Sequence, residues 1–241
     1  MIFRRARTAR FFFDPDALAA RAAAARQAYL AAEPFPHALF DDLLPAWVVR
    51  RLADEFPPPE SFERQEIPDQ PQRRGKLQSR DERGFGGFTR QVLDHLNGDP
   101  FVAFLERLTG IEGLVADPDI AHSLRHYERG GTLGVHADFN VHPRLKLDRR
   151  LNVLIYLTPG WRPEWHGELE LWDAGATRSV RRIEPRFGRV VVFTVSDRNP
   201  HGFPQPLACP PGVTRRSVNL YYYTNGRPAE EVAPPHPTLW R

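Results

Sequence analysis

A single cysteine, Cys209, is all the thiol chemistry in this chain of 241 residues. An internal disulfide is therefore excluded, which fits a reducing compartment. No apolar run approaches the roughly 18 residues that mark a membrane span. Charge of one sign is also scarce: 33 Lys and Arg stand against 30 Asp and Glu. No dense basic run is interleaved with aromatics, so a nucleic-acid partner is not expected. The start, Met1 to Arg10, is basic, but only Phe11-Phe12-Phe13 follows before Asp14. That is too short for the apolar core of a secretory signal. Its arginines suit a transit peptide, yet a frayed basic tail (Arg4, Arg5, Arg7, Arg10) is the plainer reading. These absences together predict a cytoplasmic protein with no membrane partner.

What is present points to a β-rich domain. The chain holds 24 prolines and 17 glycines, spread throughout, which favours many turns over a helical bundle. The length suits one domain with elaborations. Asp14-Pro15-Asp16 followed by an Ala-rich run to Ala32 reads as a helix with Asp14 as N-cap and Pro15 as its first residue. His37 to Leu44 reads as a short strand leading into a second helix over 45–56, which Pro57-Pro58-Pro59 stops. Residues 60–87 are rich in Gln, Arg, Asp, Pro and Gly without apolar periodicity, and read as a long loop or lid. Two more helices follow, with apolar positions Val92, Leu93, Leu96 and then Phe101, Phe104, Leu105, Leu108.

From about Ile120 the pattern changes to strands. Arg150 to Leu157 alternates, with Arg150, Asn152, Leu154 and Tyr156 on one face. Glu168 to Trp172, Arg189 to Thr194 and Ser217 to Thr224 are further extended segments. Strands separated by turn signals, with no helices between them, predict an antiparallel barrel or jelly roll. The division expected is a helical region with a lid over 1–117 that braces the barrel, a core over 118–227, and a tail over 228–241.

The chemistry concentrates in Gly134-Val-His136-Ala-Asp138. In an extended segment two residues apart share a face, so His136 and Asp138 place an imidazole nitrogen beside a carboxylate. These are two ligands for one metal ion, and His201 is the best candidate for a third. Two His and one carboxylate on one face of a metal leave positions open, as in non-haem Fe(II) oxygenases.

A wider set of segments carries a resemblance. Tyr127-Glu-Arg-Gly130-Gly-Thr-Leu-Gly-Val-His136-Ala-Asp138, Arg150 to Leu157, Gly167-Glu-Leu-Glu-Leu171, Gly188-Arg-Val-Val-Val-Phe193, His201-Gly and Arg215-Arg-Ser217 occur in this order. Over residues 118–227 the chain resembles the 2-oxoglutarate- and Fe(II)-dependent dioxygenases of the prolyl 4-hydroxylase-like type. The resemblance implies a double-stranded β-helix (a cupin-like jelly roll) flanked by helices, with metal ligands His136, Asp138 and His201. It implies that Arg215 and Ser217 hold the far carboxylate of 2-oxoglutarate. Arg suits this because its planar guanidinium grips a carboxylate through two parallel hydrogen bonds. Tyr127 and, more weakly, Asn152 are expected in the same pocket, and Asn140 and His142 are expected to touch substrate. The implied activity is O2-dependent hydroxylation of a C–H bond in a peptidyl residue, amino acid or other metabolite, releasing succinate and CO2. Because Asp138 is present, hydroxylation is favoured over halogenation.

Other features read plainly. The remaining histidines, the pairs Arg149-Arg150 and Arg181-Arg182, and the aromatics Trp161, Trp165, Trp172 and Tyr221 to Tyr223 read as surface, solvated strand-end and packing residues, with a substrate groove the alternative for the aromatics. The competing functions are a cupin-like metal dioxygenase or isomerase that does not use 2-oxoglutarate, and a non-catalytic module on the same barrel. Arg215 with Ser217 speaks against the first, and the complete ligand set against the second.

Overall fold

The computed structural model describes residues 12–65 and 72–241; the basic tail expected at residues 1–10 lies outside them. Among the described residues four α-helices lie in the first half of the chain, with three strands between them: α1 (Pro15–Leu30), α2 (Ala46–Asp54), α3 (Gly87–Asn97) and α4 (Asp99–Thr109). Asp14 caps α1, its Oδ1 accepting from the amides of Asp16 (2.9 Å) and Ala17 (3.3 Å), with Pro15 at the first turn where no amide is needed. α4 ends at Gly110, whose φ of +78° is the left-handed stop that glycine adopts without strain.

Among the described residues twelve strands, all paired antiparallel, form one continuous curled sheet. They are β1 (His37–Phe40), β2 (Glu63–Arg64), β3 (Arg73–Gln78), β4 (Val115–Ala116), β5 (Leu124–Ala137), β6 (Asp148–Tyr156), β7 (Leu169–Trp172), β8 (Ser179–Ile183), β9 (Val190–Thr194), β10 (His201–Phe203), β11 (Arg215–Thr224) and β12 (Leu239–Trp240). The main path runs β1-β9-β6-β11-β5-β10-β7-β8, with β3, β4 and β12 attached at its sides. This is the jelly roll that the alternating second half predicts. β5 changes partners along its length: Leu124 to Tyr127 pair with β11, whereas Leu133 and His136 pair with β10. It thus carries the site from one part of the sheet to the other.

The apolar faces of β6 and β11 pack on the helices. Leu151, Val153, Ile155, Val218 and Leu220 join Phe101, Phe104, Leu105 and Leu108 of α4 and Val92, Leu93 and Leu96 of α3 in the largest core. Each such buried side chain contributes roughly 1.5–3 kcal/mol relative to exposure, so the helices brace the sheet from one side only. The other side is left to line a cavity.

Residues 60–87 are not one long loop. Arg73–Gln78 forms β3, paired with β5 through Lys76 opposite Tyr127 and Gln78 opposite Arg125. The strand gave no apolar signal because its inward residues, Arg73, Lys76 and Gln78, face a polar cavity. A bulge at Gly75 (φ +60°) also breaks its alternation; a Cβ there would lie 2.9 Å from the Gly131 Cα. The sheet also reaches beyond 118–227, since β1, β3 and β4 precede it and β12 follows it.

Candidate active site

The centre of the cavity is built where β10 crosses β5, with His201 directly opposite His136. Gly202 permits the close approach, because a Cβ there would sit 2.6 Å from the carbonyl oxygen of Gly134. Asp138 follows the end of β5, and its carboxylate meets both rings. His136 Nε2 is 3.7 Å from Asp138 Oδ1, and His201 Nε2 is 3.5 Å from Asp138 Oδ2. One ligand atom from each of the three residues lies within 4.8 Å of the others, and all three are buried.

The tautomers are settled by the backbone. His136 Nδ1–H donates to the Gly134 carbonyl (2.9 Å) and His201 Nδ1–H to the Asn199 carbonyl (3.2 Å). A carbonyl only accepts, so the protons stay on Nδ1 and both Nε2 lone pairs face the centre. Burial, with His136 beside it, pushes the His201 pKa down to about 4, so this ring is neutral near pH 7. Burial alone would raise Asp138, but Arg149 and the two imidazoles outweigh it and hold the carboxyl well below its usual range. Two imidazoles with Nε2 turned to the centre and one carboxylate, each oriented by a hydrogen bond, are the donor set that suits Fe(II).

Asp138 is itself held. Asn152 Nδ2 donates to its Oδ2 at 2.8 Å, and the Arg149 guanidinium lies 3.2 Å from the same oxygen. Arg149 also donates to Asn152 Oδ1 (2.8 Å) and covers the ring of Tyr221 at 3.9 Å. The structure therefore places Asn152 behind the metal carboxylate. It also corrects the expectation for Arg149 and Arg150, which are buried and not solvated strand ends. The cause is a bulge. Leu151 pairs with Tyr222 and Arg149 with Tyr223, so Arg150 is the extra residue, and Arg149 takes the cavity face that strict alternation assigns to Arg150.

Arg215 sits directly across from Tyr127 on the neighbouring strand. Its guanidinium is fixed by donation to the Gly167 carbonyl (2.8 Å) and the Tyr156 hydroxyl (3.2 Å), between the rings of Tyr156 and Phe203. Tyr127 Oη is buried and has no hydrogen-bond partner among the described residues, and Ser217 Oγ donates to Asn219 Oδ1 at 2.7 Å. Arg215, Ser217 and Tyr127 all line the cavity of about 510 Å³ that holds the metal ligands. A fixed cation beside an unpartnered hydroxyl is a place for a carboxylate. Tyr156 was not singled out from the sequence, although alternation puts it on the face of Asn152.

The expected substrate contacts divide. His142 lines the cavity, its Nδ1 accepting from the amides of Arg144 (3.2 Å) and Leu145 (3.0 Å) so that Nε2 faces Asp117. Asn140 does not reach the cavity. Its amide donates to the Pro234 carbonyl (2.9 Å) and its oxygen accepts from the His236 amide (2.9 Å), so it ties down the C-terminal segment instead. That segment brings Trp240 to 5.1 Å from the His136 ring. Of the aromatics read as packing residues, Tyr222 is core, while Tyr221 and Tyr223 line the cavity.

A jelly roll with a buried cluster of two histidines and one carboxylate is the arrangement that non-haem Fe(II) oxygenases use. Comparison with known proteins agrees. Residues 122–223 match the family model of the 2OG-Fe(II) oxygenase superfamily. The chain is 28% identical over 153 residues to the prolyl 3-hydroxylase OGFOD1 of Mus musculus, covering 61% of this chain but only 26% of that relative. The chain thus spans about a quarter of that relative's length. Among solved structures, it is similar to a prolyl hydroxylase from Trichoplax adhaerens in complex with a hypoxia inducible factor peptide fragment. That likeness has a TM-score of 0.62 at 18% identity, covering 86% of this chain and 91% of that one. A prolyl-4-hydroxylase from Pseudomonas putida aligns with a TM-score of 0.58 at 20% identity, covering 84% and 98%. The family match covers the segment that holds His136, Asp138, His201 and Arg215, and the likeness to the solved structures is one of fold.

No helix among the described residues is long and apolar enough to cross a membrane.

Proposed function

We propose that this chain is an Fe(II)- and 2-oxoglutarate-dependent hydroxylase acting on a C–H bond of a peptidyl residue or small amino-acid-like molecule. The observation that carries the reading is the meeting, in one cavity, of the His136–Asp138–His201 donor set with Arg215 and the unpartnered Tyr127 hydroxyl. The residues fit both groups. Three oriented ligands suit the metal, and Arg215, Tyr127 and Ser217 suit a carboxylate. When bound, iron and 2-oxoglutarate supply O2 activation coupled to release of succinate and CO2.

The chain's own residues supply geometry. His136, Asp138 and His201 would hold the metal, with Asn152 and Arg149 keeping Asp138 ionised and aimed. Arg215, held by Gly167 and Tyr156, would orient the far carboxylate of 2-oxoglutarate. Leu154, Phe193 and Phe203 form an apolar wall that keeps water from the reacting groups. His142 lines the cavity and would touch substrate. A cytoplasmic setting belongs to this reading, supported by Cys209 as a single, buried free thiol.

The relatives make prolyl peptides the first substrates to try. The test is succinate formation from 2-oxoglutarate, with Fe(II) and O2, across panels of prolyl peptides and free amino acids. Substrate-stimulated succinate with a product 16 mass units heavier is the expected result. Metal binding without any 2-oxoglutarate dependence would favour a cupin-like dioxygenase or isomerase.

A further inference from the structure

Three cations of the cavity wall play no part in the chemistry above. Lys76 and Arg73 lie on β3, Lys76 opposite Tyr127 and Arg73 opposite Leu133, and Arg125 lies on β5 opposite Gln78. All three line the same cavity as the metal ligands. Lys76 is 7% exposed, and no hydrogen bond or ion pair engages its amine among the described residues. The Nε atoms of Arg73 and Arg125 are buried without an acceptor, and Arg125 Nη2 donates to the neutral Tyr221 hydroxyl, which leaves its charge unmatched.

The neighbouring charges are already matched. Arg149 sits 3.2 Å from Asp138, and Arg144 sits 3.0 Å from Asp119. Asp117 accepts from Tyr223 at 3.2 Å and faces His142 at 3.8 Å. Arg215 belongs to the co-substrate clamp, two strands from Lys76 across Tyr127. A 2-oxoglutarate dianion, with one carboxylate at the metal and the other at Arg215, leaves Lys76, Arg73 and Arg125 uncompensated. Burial and the two arginines hold the Lys76 amine well below its usual pKa, against the pull of Asp138. An unpartnered buried cation destabilises a fold, and an incoming oxyanion removes that cost.

We propose that Lys76, Arg125 and Arg73 form a second anion subsite that grips a carboxylate or phosphate on the substrate, so that the enzyme selects acidic substrates over neutral ones. This rests on the hydroxylase reading, with 2-oxoglutarate at Arg215.

The test is calorimetric titration of the Zn(II)-loaded protein, saturated with 2-oxoglutarate, with inorganic phosphate and separately with acetate. The wild type takes up one equivalent of at least one of them, and the tighter of the two names the group. Affinity falls at least about tenfold in Lys76→Met and in Arg125→Gln, as the loss of a charge-assisted hydrogen bond requires. Both variants still bind one equivalent of 2-oxoglutarate, and Lys76→Met melts at a higher temperature than wild type because a buried, unpartnered amine is gone. Three results would overturn the proposal. One is no anion uptake by a wild type that binds 2-oxoglutarate. Another is uptake indifferent to both substitutions. The third is loss of 2-oxoglutarate from Lys76→Met as complete as from Arg215→Met, which would give these cations to the co-substrate. A wild type that binds no 2-oxoglutarate yet takes up the anion through Lys76 would sink the hydroxylase reading and leave this subsite standing.

Discussion

Strands β6 and β11 present two faces that are equally buried and chemically opposite. Toward the helices stand Leu151, Val153, Ile155, Val218, Leu220 and Tyr222, none more than 3% exposed. The one polar side-chain atom among them, Tyr222 Oη, donates to the Leu96 carbonyl at 2.7 Å. Toward the cavity the same strands carry Arg149, Asn152, Arg215 and Ser217, also buried, with polar capacity turned inward. The helix face is stabilised by removing apolar area from water. The cavity face gains little from burial and is held in place by the helix face behind it. Stability and function are thus separated by the thickness of one sheet, and substitutions on the two faces should behave differently.

The strongest test of that separation is His201→Ala. It should reduce 2-oxoglutarate turnover to background while the denaturation midpoint of the metal-free protein stays near that of wild type, since the ring lines the cavity and meets the core edge-on at Phe193. A large loss of stability would show that the faces are not independent. On the other side, Phe104→Ala should cost roughly 3–5 kcal/mol of unfolding free energy in urea, with unchanged metal affinity in the fraction that remains folded. Smaller again is Asn152→Ala, which frees Asp138 Oδ2 from its amide donor. Metal affinity should fall on the order of 10- to 100-fold, as is usual for a residue that orients a ligand, and isothermal titration with Zn(II) reads it.

The gentlest probe is pH. His126 is buried between Phe56 and Phe62, its Nε2–H donating to the Pro57 carbonyl at 3.0 Å. Burial pushes its pKa down to about 4, as it does for His201. Unfolding restores a value near 6.5, so the unfolded chain binds more protons between these limits. Stability of the metal-free protein is therefore full above about 6.5 and declines as pH falls toward 4. Each such ring contributes up to about 1.4 kcal/mol per pH unit within that window. His126→Gln should make the urea midpoint visibly less sensitive to pH between 4.5 and 6.5.

The two faces also explain what could be read from residues alone. The helix face announces itself through periodicity: α3, α4 and the alternating strands were legible, and Asp14 declared the start of α1. Of the candidate site, His136, Asp138, His201, Tyr127 and Arg215, which the structure brings to one cavity, stand in a motif with recognisable order. Arg149 was hidden by a one-residue bulge, which inverts alternation without leaving a mark in the sequence. Lys76 and Arg125 were hidden because a strand lining a polar cavity lacks the apolar pattern by which strands are found. Asn140 was misplaced because the partner that occupies it, the backbone around Pro234 and His236, lies more than 90 residues away in the chain.

The central claim is that one cavity holds both Fe(II) and 2-oxoglutarate, the metal on the triad and the co-substrate on Arg215. Anaerobic addition of Fe(II) and then 2-oxoglutarate, followed in the visible for the weak metal-to-ligand charge-transfer band, tests it most directly. The band should form in wild type, vanish in His136→Ala and weaken in Arg215→Ala. A folded wild type that binds Fe(II) and shows no band on addition of 2-oxoglutarate would contradict the account.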